Sequence, residues 1–457
     1  MTAHQEQPNN APDFLAELEW RGLLKDCTDA DALREHLKGG KRLAYCGFDP
    51  TADSLTIGNL VPIMLLKHWQ RAGHTPVVVM GGGTGLIGDP SGKSDERRLL
   101  TPDEVTINID SQRTIFDKLL KPEPGQPEPI ILNNLEWLEN LSYLDVLRDV
   151  GKHFRVNEMI KRDSVRDRLD RDQGISYTEF SYMILQAYDF LRLFDNYNFD
   201  NSALVDDRVT VQLGGSDQYG NIVAGCDLIR RINIEPGDEA TPSLAFGLTA
   251  PLVTKSDGTK FGKTESGAIW LTAERTSPYA YFQFWLNAAD DDAERFLKTF
   301  TLLTRDQIEA IMAEQAQNPA QRPAQRALAR EATALLHGPD AAEQAEQAGR
   351  ALFSGELASL PEPLLLEVLA AVPSSEHPKP SLEGDGADPV ELLIETKLAK
   401  SKREAREFIA NGSVTVFGQG TGRKLAPGDT ITTGDLLHGS LIAIRRGKKA
   451  WHLTRWA

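Results

Sequence analysis

Residues 77–94 are VVVMGGGTGLIGDPSGKS, a β-branched run followed at once by a glycine-rich loop. Such a run predicts a buried parallel strand that enters a tight turn. Ile130–Leu132 and Val209–Leu213 are apolar runs of the same kind, with helical periodicity between them. Strands that alternate with helices predict an α/β fold with a Rossmann-like, doubly wound parallel sheet, in which ligands bind at the carboxyl ends of the strands.

The glycine-rich loop does not fit a P-loop. That motif needs four residues between its glycines, whereas Gly88 and Gly92 enclose three. A glycine-rich turn still lets a ligand approach the backbone closely. The alternative is a plain strand-to-helix turn in which Asp89 caps a helix.

Charge is distributed unevenly along the 457 residues. The net charge is −16, which argues against general nucleic-acid binding, but residues 389–457 hold 12 Lys and Arg against 6 Asp and Glu. A basic segment on an acidic body suggests that one end meets a polyanion, although a solvated basic face would look the same.

Other features limit the class of protein. Three cysteines form neither a disulfide framework nor a metal-spaced cluster, so we expect no structural metal. Residues 1–13 lack the basic and apolar parts of a signal peptide, and no apolar run approaches ~18 residues. We therefore expect a cytoplasmic protein without a membrane segment.

Several short patterns suit a small polar ligand with phosphates. A helix beginning near Gly58 would point its first amides at an anion. Tyr182, Gln186 and Asp189 are spaced to share one helix face, where they could bind a zwitterion or form a solvated stripe. Lysines in the stretch 254–267 would suit phosphoryl chemistry, with a solvated loop as the alternative.

In order along the chain, these pieces resemble the bacterial-type tyrosyl-tRNA synthetases, a class I family. The similarity covers nearly the whole chain from about residue 14. It rests on six blocks that occur in the family's order: YCGFDPTADSL, GGGTGLIGDPSGK, TEFSYMILQAYDFLRL, LGGSDQYGN, KFGKT and SPYAYFQFW. The basic C-terminal segment resembles a small RNA-binding module shared with a ribosomal small-subunit protein.

The resemblance implies a two-step reaction. Tyrosine attacks the α-phosphate of ATP, with Mg²⁺ assisting, to give tyrosyl-adenylate and pyrophosphate. Tyrosine then passes to the 3′-terminal adenosine of tRNA(Tyr). No protein nucleophile is needed, so catalysis consists of positioning and charge stabilisation. A homodimer is also implied.

The resemblance assigns roles to individual residues. The substrate's phenolic hydroxyl would be held by Tyr45 and Asp189, a pair that phenylalanine leaves unfilled, and this family is the standard illustration of that kind of selectivity. The rest of the tyrosine site comprises Asp89, Asn134, Tyr182, Gln186 and Gln218. The nucleotide side comprises Cys46, Gly47, Asp49, Gly58, Gly215 and Asp217. The phosphate and pyrophosphate side comprises Thr51, Thr56, Asn59, Lys93, Arg97, Lys260, Lys263 and Thr264. Contacts with tRNA would come from Arg230, Arg231, Lys402, Arg403 and Arg406.

Composition and resemblance together predict the domain organisation. Residues 1–13 form a flexible tail and 14–245 the Rossmann-like catalytic domain. Residues 246–354 contain the pyrophosphate-side loop and an α-helical anticodon-binding domain. A proline-rich linker over 355–388 leads to the small α+β RNA-binding domain, 389–457.

One position departs from the family pattern. The family has histidine where this chain has Thr56, at the start of the signature Thr56–Asn59. A hydroxyl can still bond phosphate, but losing one transition-state donor commonly costs roughly 10²–10³ in rate. The change predicts either slower activation or a substitute donor. It also makes a non-catalytic RNA-binding descendant an alternative. Two further alternatives are a small-molecule adenylyltransferase of the same α/β ancestry and a tryptophan-specific sibling.

Overall fold

The computed structural model describes residues 13–91, 99–169, 174–195, 208–233, 245–256, 258, 261–264, 267–370, 372–418, 422–447 and 450–457. Within these ranges, seven side chains lie outside the description: Asp163, Ser164, Asp167, Lys263, Thr264, Leu352 and Phe353. The chain divides into two compact units. The body comprises residues up to 277 with 284–337, and the C-terminal unit comprises 278–283 with 338–457.

A six-stranded sheet in the order β1-β6-β5-β2-β3-β4 forms the centre of the body. Neighbouring strands are parallel, except that β1 is antiparallel to β6. The parallel sheet that the apolar runs predicted is therefore confirmed. The strands are β1 Asp26–Cys27, β2 Leu43–Phe48, β3 Thr75–Met80, β4 Ile130–Asn133, β5 Val209–Gly215 and β6 Phe246–Ala250.

Helices cover both faces of this sheet. In β2, Tyr45 packs on Phe190 (ring centroids 5.3 Å apart) and Phe48 packs on Phe116 (4.8 Å). Because positions 45 and 48 point to opposite faces of a strand, the helix Tyr177–Asp195, which carries Phe190, and the helix Pro102–Leu119, which carries Phe116, lie on opposite sides. The helices as far as residue 337 are α1 Phe14–Arg21, α2 Ala30–Lys38, α3 Leu60–Arg71, α4 Pro102–Leu119, α5 Leu135–Leu138, α6 Tyr143–Asp145, α7 Val156–Met159, α8 Asp163–Leu169, α9 Tyr177–Asp195, α10 Tyr219–Asn233, α11 Pro278–Leu286, α12 Asp290–Phe300, α13 Arg305–Gln317 and α14 Pro323–His337.

Two boundaries differ from the sequence-based expectation. A division at residue 245 would separate β6 from its parallel partner β5, to which it pairs from Val211↔Phe246 onward. The composition of FGLTA gave little sign of this strand. The expected helical domain 246–354 is also divided, because the C-terminal unit begins again at Gly338.

The C-terminal unit contains a five-stranded sheet in the order β11-β10-β12-β13-β9. Leu392, Val414, Ile442 and Trp456 are among the buried side chains that form its core. Its further elements are α15 Pro339–Ser354, α16 Glu362–Val368, β9 Ser374–His377, α17 Pro389–Glu395, α18 Lys402–Ala410, β10 Val414–Phe417, β11 Arg423–Lys424, β12 Leu441–Arg446 and β13 Ala450–Trp456.

The segment 355–388, predicted as a linker, carries regular structure. It contains α16 and β9, and β9 pairs in parallel with β13 in the register Leu453↔Ser374 to Trp456↔His377. The prolines that suggested a linker flank the strand at Pro373 and Pro378. A proline cannot donate to a ladder, so these residues bound the strand without interrupting it.

Two negative findings hold for the described ranges. No helix in them is long and apolar enough to cross a membrane. They contain no group of three or more His, Cys, Asp or Glu side chains arranged to hold a metal ion.

Candidate active site

Turns at the carboxyl ends of β2, β3 and β4 meet through a short chain of hydrogen bonds. Thr84 Oγ1 donates to Asp49 Oδ1 (2.8 Å), and Asn134 Nδ2 donates to Thr84 Oγ1 (3.0 Å). The Gly83 amide donates to Asn134 Oδ1 (2.8 Å). A Cβ atom at Gly81 would collide with Asp49 Oδ1. The glycines of this loop therefore make room for a carboxylate that faces the crevice.

Asp189 is the most deeply buried acid of this crevice. It is 4% exposed, and its two carboxylate oxygens accept from Asn134 Nδ2 (3.0 Å) and Trp137 Nε1 (2.8 Å). Burial raises the pKa of this carboxyl to about 7, although both donors favour the ionised form. The residue is thus held in one orientation by two neutral donors, without a cation.

Tyr45 lies on the same side of the sheet and is 1% exposed. Its hydroxyl is buried and has no hydrogen-bond partner among the described residues. Burial, followed by the Asp189 carboxylate, raises the pKa of the Tyr45 phenol well above its ordinary value. A buried polar group normally has a partner, so this hydroxyl indicates that a ligand group belongs there.

Several predicted residues around the crevice bond to one another. Tyr182 Oη donates to Asp49 Oδ2 (2.9 Å), and Gln218 Nε2 donates to Asp89 Oδ2 (2.7 Å). Burial raises the pKa of the Tyr182 phenol, and the carboxylates of Asp49, Asp89 and Asp189 raise it further. Three acids that act on one phenol create a negative region, which suits an ammonium group.

Further predicted residues line the neighbouring part of the crevice. Gln186 Oε1 accepts from Asn221 Nδ2 (3.0 Å). Cys46 is buried, and burial followed by the Asp217 carboxylate raises the pKa of its thiol. A Cβ atom at Gly215 would lie 2.5 Å from Asp217 Oδ1, so a side chain there would displace the Asp217 carboxylate. Gly47 is exposed at the end of β2.

The signature Thr56–Asn59 forms a tight, self-bonded turn. Asn59 Oδ1 accepts from the Thr56 amide (3.1 Å) and from Thr56 Oγ1 (3.0 Å). The backbone amide can only donate, so the oxygen of the Asn59 side chain must face Thr56. Its Nδ2 group is then directed away from Thr56 and makes no hydrogen bond to a described residue. Both residues are partly exposed, and Gly58 and Thr51 are exposed.

The remaining phosphate-side predictions are only partly described. Lys93, Arg97 and Lys260 lie outside the described residues. The backbones of Lys263 and Thr264 form β7, which pairs with β8 (Gly267–Ala268) in the register Lys263↔Ala268.

The predicted tRNA-binding residues differ in how they are engaged. The guanidinium of Arg231 already bonds other residues of the body, namely Glu158 Oε2 (3.0 Å) and the His153 carbonyl. Arg230 is 60% exposed, with Asp227 at 3.6 Å. In the C-terminal unit, the exposed side chains of α18 include Lys402, Arg403 and Arg406.

Sequence reasoning missed three residues of the site: Thr84, Trp137 and Asn221. Trp137 follows Asn134 by three residues in the stretch NNLEWL. This spacing puts the two side chains on one helical turn, but it does not indicate that Trp137 bonds Asp189. Thr84 lies in the glycine-rich loop, and no pattern in that loop indicates that its hydroxyl bonds Asp49 and Asn134. Asn221, on α10, follows Gln218 by three residues, a spacing at which two side chains of one helical turn can form a hydrogen bond.

Comparison with known proteins identifies the family. Residues 38–354 match the family described as tRNA synthetases class I (W and Y), and residues 368–454 match the tyrosine–tRNA ligase SYY-like C-terminal domain. The tyrosine–tRNA ligase of Bacillus caldotenax is 47% identical over 97% of this chain and 100% of its own. The tyrosine–tRNA ligase of Roseiflexus castenholzii is 46% identical over 97% of this chain and 99% of its own.

A solved structure gives the same result. The C-terminally truncated mitochondrial tyrosyl-tRNA synthetase of Aspergillus nidulans is 33% identical, with a TM-score of 0.65 over 74% of this chain and 94% of that one. The chain therefore belongs to the class I aminoacyl-tRNA synthetases, in the tyrosine–tRNA ligase family.

Proposed function

We propose that this chain is a tyrosine–tRNA ligase (EC 6.1.1.1), which activates L-tyrosine with ATP and transfers it to tRNA(Tyr). The observation that carries the substrate assignment is the unpartnered Tyr45 hydroxyl beside the Asp189 carboxylate. A substrate phenol would donate to Asp189 and accept from Tyr45, which satisfies both groups. Phenylalanine would leave both unsatisfied in a buried site. Tryptophan has no hydroxyl to accept from Tyr45.

The acids nearer the mouth of the crevice would bind the rest of the amino acid. Asp89 with Tyr182 and Gln186 would hold the ammonium group, because the negative region there favours a cation. Cys46, Asp217 and Gln218 would then face the ribose or the substrate carboxylate, with Asp49, Gly47 and Gly215 beside the adenylate. The reacting carboxylate belongs to the substrate. The protein therefore accelerates the step by holding it in line with the α-phosphate.

At the phosphate side, we assign different roles to Thr56 and Asn59. The hydroxyl hydrogen of Thr56 is donated to Asn59 Oδ1, so it is not available to a phosphate. The same bond fixes the amide of Asn59 with its Nδ2 hydrogens directed outward. Thr56 is thus a positioning residue, and Asn59 supplies the donor that stabilises the transition state. Thr51 would add a second hydroxyl.

The pyrophosphate leaving group would be surrounded by Lys93, Arg97, Lys260, Lys263 and Thr264, an assignment that rests on the sequence blocks alone. We propose that Mg²⁺ enters with ATP as part of the substrate. Of the residues predicted for this end, the described side chains are those of Thr51, Thr56 and Asn59, two hydroxyls and an amide, whereas Mg²⁺ favours carboxylates and phosphates in such sites.

Transfer to tRNA would involve the C-terminal unit. Lys402, Arg403 and Arg406 share the exposed side of α18, where they can meet phosphates, and Arg230 would add a contact on the body. The charging step should therefore weaken with salt far more than tyrosine activation does. Arg231 is a poorer candidate because its guanidinium already bonds Glu158 and His153.

A homodimer in the cytoplasm completes the proposal. Exposed apolar side chains cluster on α6, α7 and the segment between them, including Tyr143 (61% exposed), Leu144 (73%) and Val156 (62%). An apolar patch of this kind marks an interaction surface. A second copy of the chain is the partner that the family relationship suggests.

The test is tyrosine-dependent exchange of labelled pyrophosphate into ATP, with phenylalanine and tryptophan as controls. Exchange with tyrosine alone, followed by charging of tRNA(Tyr), is the expected result. Folded protein that exchanges with none of the three amino acids would overturn the proposal in favour of a non-catalytic RNA-binding protein.

A further inference from the structure

A cavity of about 170 Å³ lies in the body between α1, the end of α3 and the start of α13. The helix α3 begins beside the signature Thr56–Asn59 and is 12 residues, or about 18 Å, long, and its last turn, with His68 and Arg71, lines the cavity. The next strand, β3, begins only after α3 has ended. The cavity is therefore at the amino ends of the strands, opposite the tyrosine crevice.

Cations predominate in the lining of this cavity. Arg21, Arg71 and Arg305 line it, together with one acid, Glu17. Glu17 is already paired, since it accepts from Arg21 Nε at 2.7 Å. We call this space the arginine cavity.

Two of the three arginines have most of their donors unused. Arg21 is the exception, because besides Glu17 it bonds the carbonyls of Lys298, Thr301 and Leu303. Arg71 makes one long bond, to the Leu302 carbonyl at 3.4 Å, and Arg305 lies over the Trp20 ring at 5.1 Å. Neither forms an ion pair with an acid in the described part of the chain.

His68 supplies the independent sign of a ligand. It lines the arginine cavity, is 2% exposed, and its Nε2 atom has no hydrogen-bond partner among the described residues. Burial, then the nearby Arg21, Arg71 and Lys67, hold the pKa of this imidazole well below its ordinary value. A neutral imidazole surrounded by cations can offer one N–H donor to an anion.

We propose that the arginine cavity is a binding site for a small, multiply charged oxyanion such as inorganic phosphate. The guanidinium groups of Arg71 and Arg305 would bond its oxygens, a geometry that arginine suits particularly well. His68 would donate a further hydrogen bond from the buried side. At about 170 Å³ the cavity is more than tenfold larger than the ~10–15 Å³ that a single water needs. It therefore has room for a tetrahedral anion.

The first experiment is a thermal-shift titration of the full chain with sodium sulfate, at constant ionic strength maintained with sodium chloride. Sulfate should stabilise the protein, and its dissociation constant should rise at least tenfold in Arg71→Met and in His68→Leu. His68→Gln keeps an N–H donor and should retain most of the affinity. Arg330→Met removes an exposed arginine of α14 that does not line the cavity, and should bind sulfate as the wild type does.

Location and ligand class are tested separately. Crystals grown without sulfate or phosphate and soaked in selenate should show anomalous density beside His68 and Arg71. Inorganic phosphate should compete with sulfate more strongly than glycerol phosphate if the cavity holds the free anion, whereas the reverse order would indicate a phosphate group on a small molecule. Equal sulfate binding in wild type, Arg71→Met and His68→Leu, or selenate only in the crevice near Asn59, would overturn the proposal.

Discussion

The two ends of the crevice are built in opposite ways. At the tyrosine end, Tyr45, Asn134 and Asp189 are 1%, 1% and 4% exposed, and the oxygens of Asp189 are held by protein donors before any ligand arrives. At the phosphate end, Thr56 and Asn59 are partly exposed and bond mainly to each other. With the roles that we propose, selection of the substrate would depend on buried groups that only one ligand satisfies. Stabilisation of the transition state would depend on groups that stay available until charge develops.

The largest effect is expected when the buried end is broken. Asp189→Ala removes the acceptor of the substrate phenol and leaves the donors of Asn134 and Trp137 unpaired. A site that hydrogen-bonds a substrate hydroxyl discriminates by roughly 10⁴–10⁵ against a ligand that cannot form that bond, a magnitude known from this same family, so kcat/KM for tyrosine should fall by roughly 10³-fold or more in pyrophosphate exchange. The KM for ATP should change little. A loss of less than tenfold would remove Asp189 from the tyrosine site.

Breaking the exposed end should cost less and affect a different constant. Asn59→Ala removes the donor that we assign to the phosphates, and loss of such a donor typically lowers kcat by roughly 10²–10³-fold. Because the Asn59 side chain bonds Thr56 and not the phenol pocket, the dissociation constant of tyrosine should stay within twofold, which equilibrium dialysis would measure. If tyrosine binding weakened in parallel with kcat, Asn59 would be supporting the fold of the crevice instead.

The same contrast explains what the sequence could predict. The parallel strands and the helix that carries Tyr182, Gln186 and Asp189 were predicted correctly, because local periodicity determines them. Trp137 was missed because its partner Asp189 is 52 positions away, and no local pattern encodes that hydrogen bond. The sequence predicts a linker at strand β9 for a similar reason, since its partner β13 lies nearly 80 residues further along the chain.

The phosphate end was predictable in type but not in orientation. Glycine and hydroxyl residues after a strand indicate an anion site, and the family resemblance placed Thr56 there as a phosphate contact. The direction of a hydroxyl hydrogen depends on the neighbours that fold around it. In the structure, Thr56 Oγ1 donates to Asn59 Oδ1, so its hydrogen is not available to a phosphate.

A pH profile would sharpen the account of the buried end. Burial raises the pKa of Asp189 to about 7, so the carboxylate, our proposed acceptor of the substrate phenol, is lost as the pH falls through this value. We expect kcat/KM for tyrosine to drop about tenfold between pH 8 and pH 6. Trp137→Phe removes a donor to the ionised form and should move the midpoint upward. A profile that is flat from pH 6 to pH 8 would contradict this account.

The same pKa gives a stability effect with a definite sign. The unfolded carboxyl titrates near its ordinary value, 3.8, and the folded one near 7. Between these values the folded chain holds the extra proton, so the contribution of Asp189 to stability is full below pH 3.8 and is lost as the pH rises to 7. The Tm of Asp189→Asn relative to wild type should therefore increase between pH 5 and pH 8, measured by scanning calorimetry.

The smallest effect is expected at Thr56. Thr56→Val removes the hydroxyl but keeps the backbone amide that also holds Asn59 Oδ1, so kcat should fall by only about tenfold or less. If Thr56 acts through Asn59, the double variant Thr56→Val/Asn59→Ala should be no slower than Asn59→Ala alone, because both changes remove one function. If Thr56 bonded a phosphate itself, the two losses would multiply. Single-turnover formation of tyrosyl-adenylate separates these cases. If the two rate losses multiply, Thr56 donates to the transition state directly and our assignment of it as a positioning residue is wrong.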